Sequence, residues 1–360
     1  MLRQLLFLLL LASPLEAQDE GFTPLLNGRD LSGWVNVNCA PETWTVQDGM
    51  LHCDGIPTGA LRTERQYENF ILELEWRHLK PGGNAGVFIW AGPLTAPGVP
   101  FLRAIEVQVL DHAYGKSDWF TTHGDVFPIH GSTMNPFGRN AGQRSFPSEE
   151  RSKGSPEWNH YRITCQDGTL RLAVNGKVVS GGEKCTWRKG YIALESEGGV
   201  VDWRNLRIKE LPTGNAPPEQ TAPLADGSVS LYDGRSLKGW STPAGASMDW
   251  KPADWELVST GNSSPLVYGA KLGDFHLQLD VRTEAKGATA PFPVCINGVP
   301  LRAKISDRWT RYHVSRRGVM ISSSEEGQGP GPGIPIGEGP AEISLKAGTA
   351  LRVAGIYLKQ

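Results

Sequence analysis

The sequence lacks an excess of charge of either sign. It has 36 Lys and Arg against 38 Asp and Glu, which leaves a formal net charge of −2. Proteins that bind nucleic acid need a surplus of basic side chains to neutralise phosphates, so we expect no nucleic-acid partner. Hydrophobic residues make up 39% and charged residues 21% of the chain, which are ordinary values for a globular protein with a packed core.

Long apolar runs are also scarce. The one candidate lies in residues 1–17, where Arg3 precedes a short apolar run and Leu15-Glu16-Ala17 offers a cleavage site. This pattern predicts a signal peptide, because the apolar run is too short to span a bilayer. We therefore expect an exported protein, periplasmic or extracellular, with no transmembrane segment in the mature chain. A retained membrane anchor is the alternative.

Cysteine is sparse, and no Cys-x-x-Cys spacing of the kind that binds zinc occurs. An exported protein can keep disulfides. We predict that Cys39 pairs with Cys53 and that Cys165 pairs with Cys185, each bond joining neighbouring strand ends. Cys295 is then left over and buried. A zinc site is the weaker alternative.

The sequence also lacks a long segment with helical periodicity and capping residues. Gly (43) and Pro (26) are frequent and lie mostly between short apolar runs, as expected for turns between strands. Apolar and polar residues alternate in Phe70–Trp76 and again in Phe275–Val281. This period of two predicts strands with one face on a core and the other face open to water or a ligand.

An internal repeat sets the domain organisation. The segment Leu25–Trp34 recurs as Leu231–Trp240, and Asn69–Arg77 recurs as Asp274–Arg282 in the same order. We predict an all-β chain of two tandem, related jelly-roll sandwich modules. The first covers residues 21–211, a linker covers 212–226, and a second, degenerate module covers 227–360.

The segment Ala104–Asp111 carries the clearest row of polar side chains. Ile105, Val107 and Val109 are expected to face the core, which directs Glu106 and Gln108 to the opposite face. A β-bulge near Leu110 would bring Asp111 to that same face. A rigid row of this kind is typical of an active site, and an ordinary solvated face is the alternative.

Two other strands point to the same region of the molecule. Ile192 and Leu194 are expected to face inward, which leaves Glu195 outward together with Tyr191, Ala193 and Glu197. The strand Asn84–Trp90 is expected to place Asn84, Gly86, Phe88 and Trp90 on one side. A glycine such as Gly86 within a strand allows a ligand to come close or marks a bulge.

The long, irregular loop from His112 to Glu157 is a further candidate. It contains His112, His123 and His130 together with Trp119, and a loop of this length inside a compact domain is usually functional. Its histidines could be general bases or metal ligands, or ordinary surface residues. The second module has Val294-Cys295-Ile296 where the first has Glu106-Val107-Gln108, so we expect it to be non-catalytic.

Together these pieces resemble the 3-keto-disaccharide hydrolase family, which is similar in fold to the concanavalin A-like lectin and glucanase jelly rolls. The resemblance spans the first module. The matching pieces are Phe22–Trp34, Trp44–Gly49, Phe70–Arg77, Asn84–Phe88, Glu106–Asp111, Gly124–Phe127, Glu157–Asn159, Val174–Gly176, Gly190–Glu195 and Trp203–Ile208.

The resemblance implies an enzyme that cleaves carbohydrates already oxidised at C3, either 3-keto-disaccharides or other 3-keto-glycosides. The strand Glu106–Asp111 also resembles the Glu-x-Asp-x-x-Glu strand of laminarinase-like glycosidases, but Gln108 replaces the middle acid. A retaining glycosidase needs two carboxyl groups beside the bond. We therefore expect elimination and hydration instead, assisted by a divalent metal ion that polarises the ketone.

The expected roles follow from this interpretation. The predicted catalytic residues are Glu106, as base or metal ligand, with Glu195 and His123 for acid/base work. A carbohydrate-binding protein without turnover and a structural surface protein are the competing functions. The predicted substrate-binding residues are Asn84, Trp90, Gln108, Asp111 and Trp119, and the predicted metal ligands are Glu106, Asp111 and His123.

Overall fold

A computed structural model of the chain describes residues 21–115, 117–261 and 264–360. The predicted signal peptide, residues 1–17, lies outside the described residues. Within the described ranges the regular structure consists of β-strands and two short 3₁₀ helices, His112–Tyr114 and Pro218–Gln220. No helix within these ranges has the length and apolarity that a membrane span requires. The all-β prediction is confirmed.

The first module is a sandwich of two antiparallel sheets, and its strands are numbered here in chain order. The back sheet has the order β10-β15-β14-β13-β6-β17-β4-β3, with β1 added along β17. Its strands are β1 (Thr23–Pro24), β3 (Trp44–Gln47), β4 (Met50–Cys53), β6 (Phe70–His78), β10 (Thr133–Pro136), β13 (Asn159–Gln166), β14 (Thr169–Val174), β15 (Lys177–Thr186) and β17 (Val201–Glu210).

The front sheet has the order β11-β12-β9-β8-β7-β16-β5-β2. It therefore places β8, β7 and β16 side by side at its centre. Its strands are β2 (Trp34–Val37), β5 (Gly59–Thr63), β7 (Asn84–Ala91), β8 (Ala104–Leu110), β9 (Val126–Ile129), β11 (Asn140–Ala141), β12 (Arg144–Ser145) and β16 (Tyr191–Ser196).

The second module contains a large sheet of order β20-β21-β32-β23-β28-β29-β30, with β18 along β32, and a smaller sheet of order β19-β22-β31-β25-β26. A two-stranded sheet joins β24 to β27. The strands are β18 (Val229–Ser230), β19 (Trp240–Ser241), β20 (Lys251–Ala253), β21 (Glu256–Ser259), β22 (Leu266–Tyr268), β23 (Phe275–Thr283), β24 (Ala290–Pro291), β25 (Val294–Ile296), β26 (Val299–Pro300), β27 (Lys304–Ile305), β28 (Thr310–Arg317), β29 (Met320–Glu325), β30 (Ile334–Pro335), β31 (Ile343–Leu345) and β32 (Leu351–Lys359).

The repeat seen in the sequence is visible in these sheets. β6 lies between β13 and β17, and β23 lies between the equivalent strands β28 and β32. The indole N–H of Trp34 donates to the carbonyl of Leu25, and that of Trp240 donates to the carbonyl of Leu231, each at 2.7 Å. The two modules therefore share one topology and one local anchor.

Each module has its own hydrophobic core between its sheets. In the first, Leu72 and Leu74 of the back sheet pack with Ile105 and Val107 of the front sheet. In the second, strands such as β23 and β25 supply the equivalent apolar side chains. Burying a Val, Leu, Ile or Phe side chain contributes about 1.5–3 kcal/mol relative to leaving it exposed, so the alternating pattern accounts for the pairing of the sheets.

The predicted disulfides are not formed, and all five cysteines are free thiols in the structure. All are buried, and Cys53, Cys165 and Cys185 pack within the core of the first module. Neighbouring strand ends alone do not supply the narrow Cβ geometry that a disulfide needs. These cysteines therefore act as small apolar core residues, and burial raises the pKa of the Cys53 and Cys185 thiols to about 12.

Thiol titration tests this correction. Protein purified without reductant should react slowly with a thiol reagent when folded, because burial hides the sulfurs and keeps them protonated. In denaturant, all five thiols should react. A single reactive thiol after denaturation would instead restore the two predicted disulfides.

Candidate active site

The candidate site lies on the outward face of the three central strands of the front sheet. The ladder between β7 and β8 sets Phe88 opposite Glu106 and Gly86 opposite Gln108. On the other side of β7, Ala193 of β16 lies opposite Phe88. Since side chains alternate along a strand, Glu106, Gln108 and Glu195 emerge on the same face, as the sequence pattern predicted.

A cavity of about 280 Å³ lies over this face. Its volume lies just below the roughly 300–1,000 Å³ range of small-molecule sites, so a small ligand fits it. Part of its wall comes from the loop after β8. Its aromatic lining consists of Phe101, Tyr114, Phe120, Phe127 and His130, and its polar lining consists of Asn84, Glu106, Gln108, Arg144, Glu195 and Glu197.

Gly86 allows two carboxyl groups to converge at the floor of the cavity. A Cβ at this position would lie 2.9 Å from Oε2 of Glu195 and 3.1 Å from Oε1 of Glu106. Any larger residue would therefore push at least one carboxyl group away. The glycine that the sequence marked as a point of close approach makes room here for the acidic pair.

These carboxyl groups are deeply buried, with Glu106 6% and Glu195 1% exposed. Burial, followed by repulsion from Glu197, raises the pKa of Glu106 to about 8 despite the opposing effect of Arg144. Burial, followed by repulsion from Glu106 and Glu197, raises the pKa of Glu195 well above its ordinary value. Burial also raises the pKa of Glu197 to about 7. Neighbouring acids in such an environment hold protons at neutral pH and can exchange them with a ligand.

The Oε2 atom of Glu195 has no hydrogen-bond partner within the part of the chain that the structure describes. Buried polar atoms are nearly always paired, so an unpaired oxygen in a cavity indicates a position where a ligand or water binds.

Arg144 brings a positive charge to the cavity. Its Nη1 atom donates to Oδ2 of Asp125 at 3.1 Å and to Oε1 of Gln108 at 3.4 Å, and its guanidinium lies 3.3 Å from the centre of the Phe127 ring. Asp125 is fully buried and also accepts from the backbone N–H of Thr121 at 2.9 Å. The ion pair and the ring together hold the guanidinium in place.

Asn84 and Gln108, both predicted to bind substrate, line the cavity and bind each other. Nε2 of Gln108 donates to Oδ1 of Asn84 at 2.8 Å and to the carbonyl of Ala85 at 3.3 Å. The amide nitrogen of Asn84 in turn donates to Glu197. Both amide hydrogens of Gln108 are thus used within the protein, so this side chain positions its neighbours.

Asp111 does not join the site, and the predicted bulge at Leu110 is absent. The ladder runs without a shift to the pair Asn84 and Leu110, so Asp111 turns away from the cavity. Its carboxylate accepts backbone N–H groups from Gly82, Ala113 and Ser155 at 2.7–2.9 Å. Burial opposes its ionisation, but these donors hold the pKa of Asp111 below its ordinary value. Asp111 is the N-cap of the following 3₁₀ helix.

His123 and Trp119 also lie apart from the cavity. Nδ1 of His123 lies 2.9 Å from Oγ of Ser152, and its ring packs against His112 with 4.6 Å between centroids. Trp119 is 72% exposed, while its neighbour Phe120 lines the cavity. The histidine of this loop that reaches the mouth of the cavity is His130, stacked on Phe101 with 5.6 Å between ring centroids.

Trp90 is buried in the core, and its indole N–H donates to the carbonyl of Glu68 at 2.8 Å. The pairing of β16 with β7 moves from Tyr191 opposite Ala91 to Ala193 opposite Phe88, which leaves an extra residue on β7. Trp90 sits in this bulge with a φ of 53°. The bulge reverses the alternation, so Trp90 faces the core while Phe88 faces outward.

The predicted set of metal ligands is not brought together, because the oxygens of Asp111 accept backbone N–H groups and His123 packs elsewhere. Among the described residues, no group of three or more His, Cys, Asp or Glu side chains has a geometry that could hold a metal ion. The residues present therefore do not fit the expected divalent cation.

Arg144, Glu197 and the aromatic lining other than His130 were not among the site residues predicted from the sequence. The alternation of residues predicted the correct face for Glu197, but no catalytic or binding role was assigned to it. Arg144 and Phe127 lie in the segment treated as an irregular loop, which in fact contains the short strands β9–β12. The alternation around Val126-Phe127 was the available signal for β9.

A larger depression of about 500 Å³ lies on the back sheet and includes Glu73 and Glu75. Its carboxylates are neutralised, since Glu73 forms ion pairs with Arg162 and Arg207, and Glu75 is paired with Arg204 at 2.6 Å. Paired carboxylates of this kind are typical of a solvated sheet face. The smaller front cavity, with its unpaired buried acids, is the better candidate.

Residues 21–209 match the family model described as the 3-keto-alpha-glucoside-1,2-lyase-like domain. The chain belongs to this family. The match covers the whole first sandwich, including all residues that line the front cavity. It confirms the family resemblance predicted from the sequence.

Individual relatives are more distant. A curated 3-keto-disaccharide hydrolase from Bacteroides thetaiotaomicron is 24% identical over 251 residues, covering 53% of this chain and 79% of the relative. A crystal structure from Parabacteroides distasonis, provisionally named a glycosyl hydrolase, is 21% identical with a TM-score of 0.43, covering 56% of this chain and 99% of that one. The carbohydrate-binding module CBM66 from Bacillus subtilis is 12% identical with a TM-score of 0.35, covering 49% of this chain and 96% of that one. At these TM-scores the structural likenesses carry no argument about function.

The substitution Gly86→Ala tests the packing of the acidic pair. The new methyl group would crowd Glu195 and Glu106, so we expect the free energy of unfolding to fall by about 1–3 kcal/mol in urea denaturation. Gly348→Ala is the matched control, because nothing lies within 4 Å of a Cβ there. Equal stability of the two variants would contradict the described convergence.

The raised pKa values predict a pH dependence of stability. The folded chain binds protons more tightly than the unfolded chain at these carboxyl groups. Their contribution is therefore fully present below the ordinary Glu value of 4.5 and is lost as pH rises through the folded values near 7 and 8. Glu195→Gln should reduce this loss, because it removes one such group.

Melting temperatures measured between about pH 5 and pH 9 provide the comparison, since each unit of raised pKa corresponds to about 1.4 kcal/mol. The matched control is Glu219→Gln, at an exposed position, which should leave the wild-type profile unchanged. A Glu195→Gln profile parallel to wild type would show that Glu195 is ionised throughout.

Proposed function

We propose that the chain is an exported enzyme that cleaves 3-keto-glycosides by elimination followed by hydration. The observation that carries the proposal is the pair of buried carboxyl groups, Glu106 and Glu195, that converge over Gly86 in a cavity lined by aromatic rings. The family and the curated relative support the substrate class, and the pattern of residues 1–17 supports export.

The chemistry starts from the ketone at C3 of the sugar, which acidifies the hydrogen at C2. A base removes that proton, and the electron pair moves into the C3 carbonyl as an enolate. When the enolate collapses, a C1–C2 double bond forms and the C1–oxygen bond to the aglycone breaks, with a proton supplied to the leaving oxygen. Water then adds, with hydroxyl at C1 and hydrogen at C2. The net reaction is hydrolysis.

Glu106 is the proposed base. A carboxylate that removes a proton from carbon is more effective when its pKa is raised, because it then holds the proton more tightly. Burial provides that increase, while the Coulomb attraction of Arg144 favours the ionised form needed to start the reaction.

Glu195 is the proposed acid. It is the more deeply buried of the two, and repulsion from Glu106 and Glu197 favours its protonated form. General acid–base catalysis requires a neutral carboxylic acid beside a second carboxyl group that ionises to start the reaction. Its otherwise unpaired Oε2 can donate its proton to the departing glycosidic oxygen.

Arg144 is the proposed stabiliser of the enolate oxygen. Its guanidinium is held by Asp125 and by the ring of Phe127, so a preorganised positive charge faces the position where negative charge develops. The aromatic lining suits the apolar C–H faces of a sugar ring. No step is assigned to a metal ion, because the residues expected to bind one do not meet.

A release assay tests the proposal. Protein lacking residues 1–17 is incubated with 3-keto-glycosides and with their unoxidised parents, and aglycone release is measured. We expect cleavage of the keto forms alone, because the parents have no acidified C2 hydrogen. Glu106→Gln should lower kcat by about 10²–10⁴-fold, the usual contribution of a general base.

Glu219→Gln serves as the control for charge removal and should retain full activity. Cleavage of the unoxidised parents would point to a conventional glycosidase. Binding of the sugars without any cleavage would make the protein a lectin, and unchanged activity of Glu106→Gln would remove Glu106 from its role.

A further inference from the structure

The second module packs against the outward face of the front sheet beside the cavity. Tyr357 of β32 packs in one apolar cluster with Phe88, Tyr191 and Ala193, which lie on the outward face of the front sheet. Phe101, which lines the cavity, packs against the same cluster. The side wall of the cavity is therefore continuous with the contact between the modules.

We propose that the second module is a positioning module, which fixes two loops that flank the cavity, residues 92–103 and residues 54–58. This inference rests on the proposed function for its catalytic consequences, while its structural part stands on the contacts alone. It gives the degenerate repeat a role other than sugar binding.

The loop 92–103 is held by a buried ion pair of the second module. Arg311 donates to both carboxylate oxygens of Asp280, at 2.7 and 2.8 Å, and also to the carbonyl of Thr95 at 2.9 Å. Asp280 accepts the backbone N–H of Gly98 at 2.9 Å. Asp280 is 1% and Arg311 8% exposed, so these charge-assisted bonds lie out of water.

Two further contacts fix the same loop. The hydroxyl groups of Thr95 and Tyr357 lie 3.0 Å apart and share a hydrogen bond. Gly98 has a φ of +71°, and a Cβ there would lie 2.4 Å from Cβ of Trp309. The loop therefore fits the second module so closely that it tolerates no side chain at Gly98.

The contacts that hold the loop 92–103 also affect the wall of the cavity. The backbone N–H of Ala96, next to Thr95, donates to the carbonyl of Phe101 at 2.8 Å. This hydrogen bond links the two halves of the loop, so a displacement of Thr95 is expected to move Phe101 as well.

The loop 54–58 is held by a separate set of contacts. Asp254 of the second module accepts the backbone N–H of Thr58 at 2.7 Å and its hydroxyl at 2.8 Å. Arg235 forms an ion pair with Asp54 and donates to the carbonyl of Ile56. This loop thus has charged partners at both ends.

The loop 54–58 in turn supports the strand that carries the acids. The hydroxyl of Ser196 donates to the carbonyl of Pro57 at 2.9 Å, and the N–H of Gly198 donates to the carbonyl of Gly55 at 2.7 Å. Ser196 lies between Glu195 and Glu197. Contacts made by the second module therefore reach the two acidic residues through one intervening loop.

Two variants at the interface test the proposal, one for each loop. Gly98→Ala forces Trp309 away from the loop 92–103, and Thr58→Val removes the hydroxyl that binds Asp254. Gly298→Ala is the matched control for Gly98→Ala, because it has the same left-handed backbone, with a φ of +75°, and nothing within 4 Å of its Cβ.

Hydrogen–deuterium exchange of the full chain is the first measurement. Gly98→Ala should increase exchange in residues 92–103, and Thr58→Val should increase it in residues 54–58 and 195–198, with the two cores still protected. The control should match wild type outside its own turn. Changes restricted to the second module would overturn the proposal.

Kinetics on 3-keto-glycosides are the second measurement. Gly98→Ala should mainly raise KM, because Phe101 contacts the sugar without reacting. Thr58→Val should mainly lower kcat, because Glu195 donates the proton. A misplacement of about 1 Å can cost on the order of 10²-fold in rate, which bounds both effects.

The two measurements separate the proposals. If wild type releases no aglycone while the exchange pattern is as expected, the proposed function fails and the positioning role stands. If wild type is active and both interface variants keep its KM and kcat, the positioning role is wrong.

Discussion

The burial of two carboxyl groups against Gly86 is the constraint on which the front of the first module depends. Removing a carboxylate from water is costly, so these groups persist only because the surrounding sheet is held together by other means. The core between the two sheets provides that support. Burial away from water, followed by repulsion between the acids, raises the pKa values of Glu106 and Glu195, and this makes proton transfer at neutral pH chemically reasonable.

The two modules share one topology but differ in the side chains that their equivalent strands carry. In the first, β8 places Glu106 and Gln108 on its outward face. The sequence match of Val294-Cys295-Ile296 with Glu106-Val107-Gln108 is wrong, because the order of the strands makes β25 the counterpart of β7 and the short strand β26 (Val299–Pro300), which has no carboxylate, the counterpart of β8. The second module has no acid like that of β8 on this strand, and its buried ion pair, Asp280 and Arg311, lies instead at the contact with the first module, where it binds the backbone of Thr95 and Gly98. Hydrogen bonds of this kind, in which one partner is charged, are stronger than bonds between neutral groups.

Much of this could be predicted from alternation along single strands. The outward positions of Glu106, Gln108 and Glu195, and the small residue Gly86 beside them, follow from a period of two. The failures come from places where that period breaks. A bulge turned Trp90 into the core, and Asp111 left the ladder to cap a 3₁₀ helix. Neither event has a clear signature in the sequence, because both depend on neighbouring strands and loops.

The sequence by itself determined the all-β class, the repeat and the faces of the central strands, because these depend on local periodicity and on residues close along the chain. Tertiary structure alone decided that Arg144 and Glu197 line the same cavity as Glu106, that His130 rather than His123 reaches it, and that the cysteines are buried as free thiols. It also decided that Tyr357 packs beside Phe88. Each of these contacts joins residues far apart in the chain, and their distances are set by how the sheets pack and how the loops close.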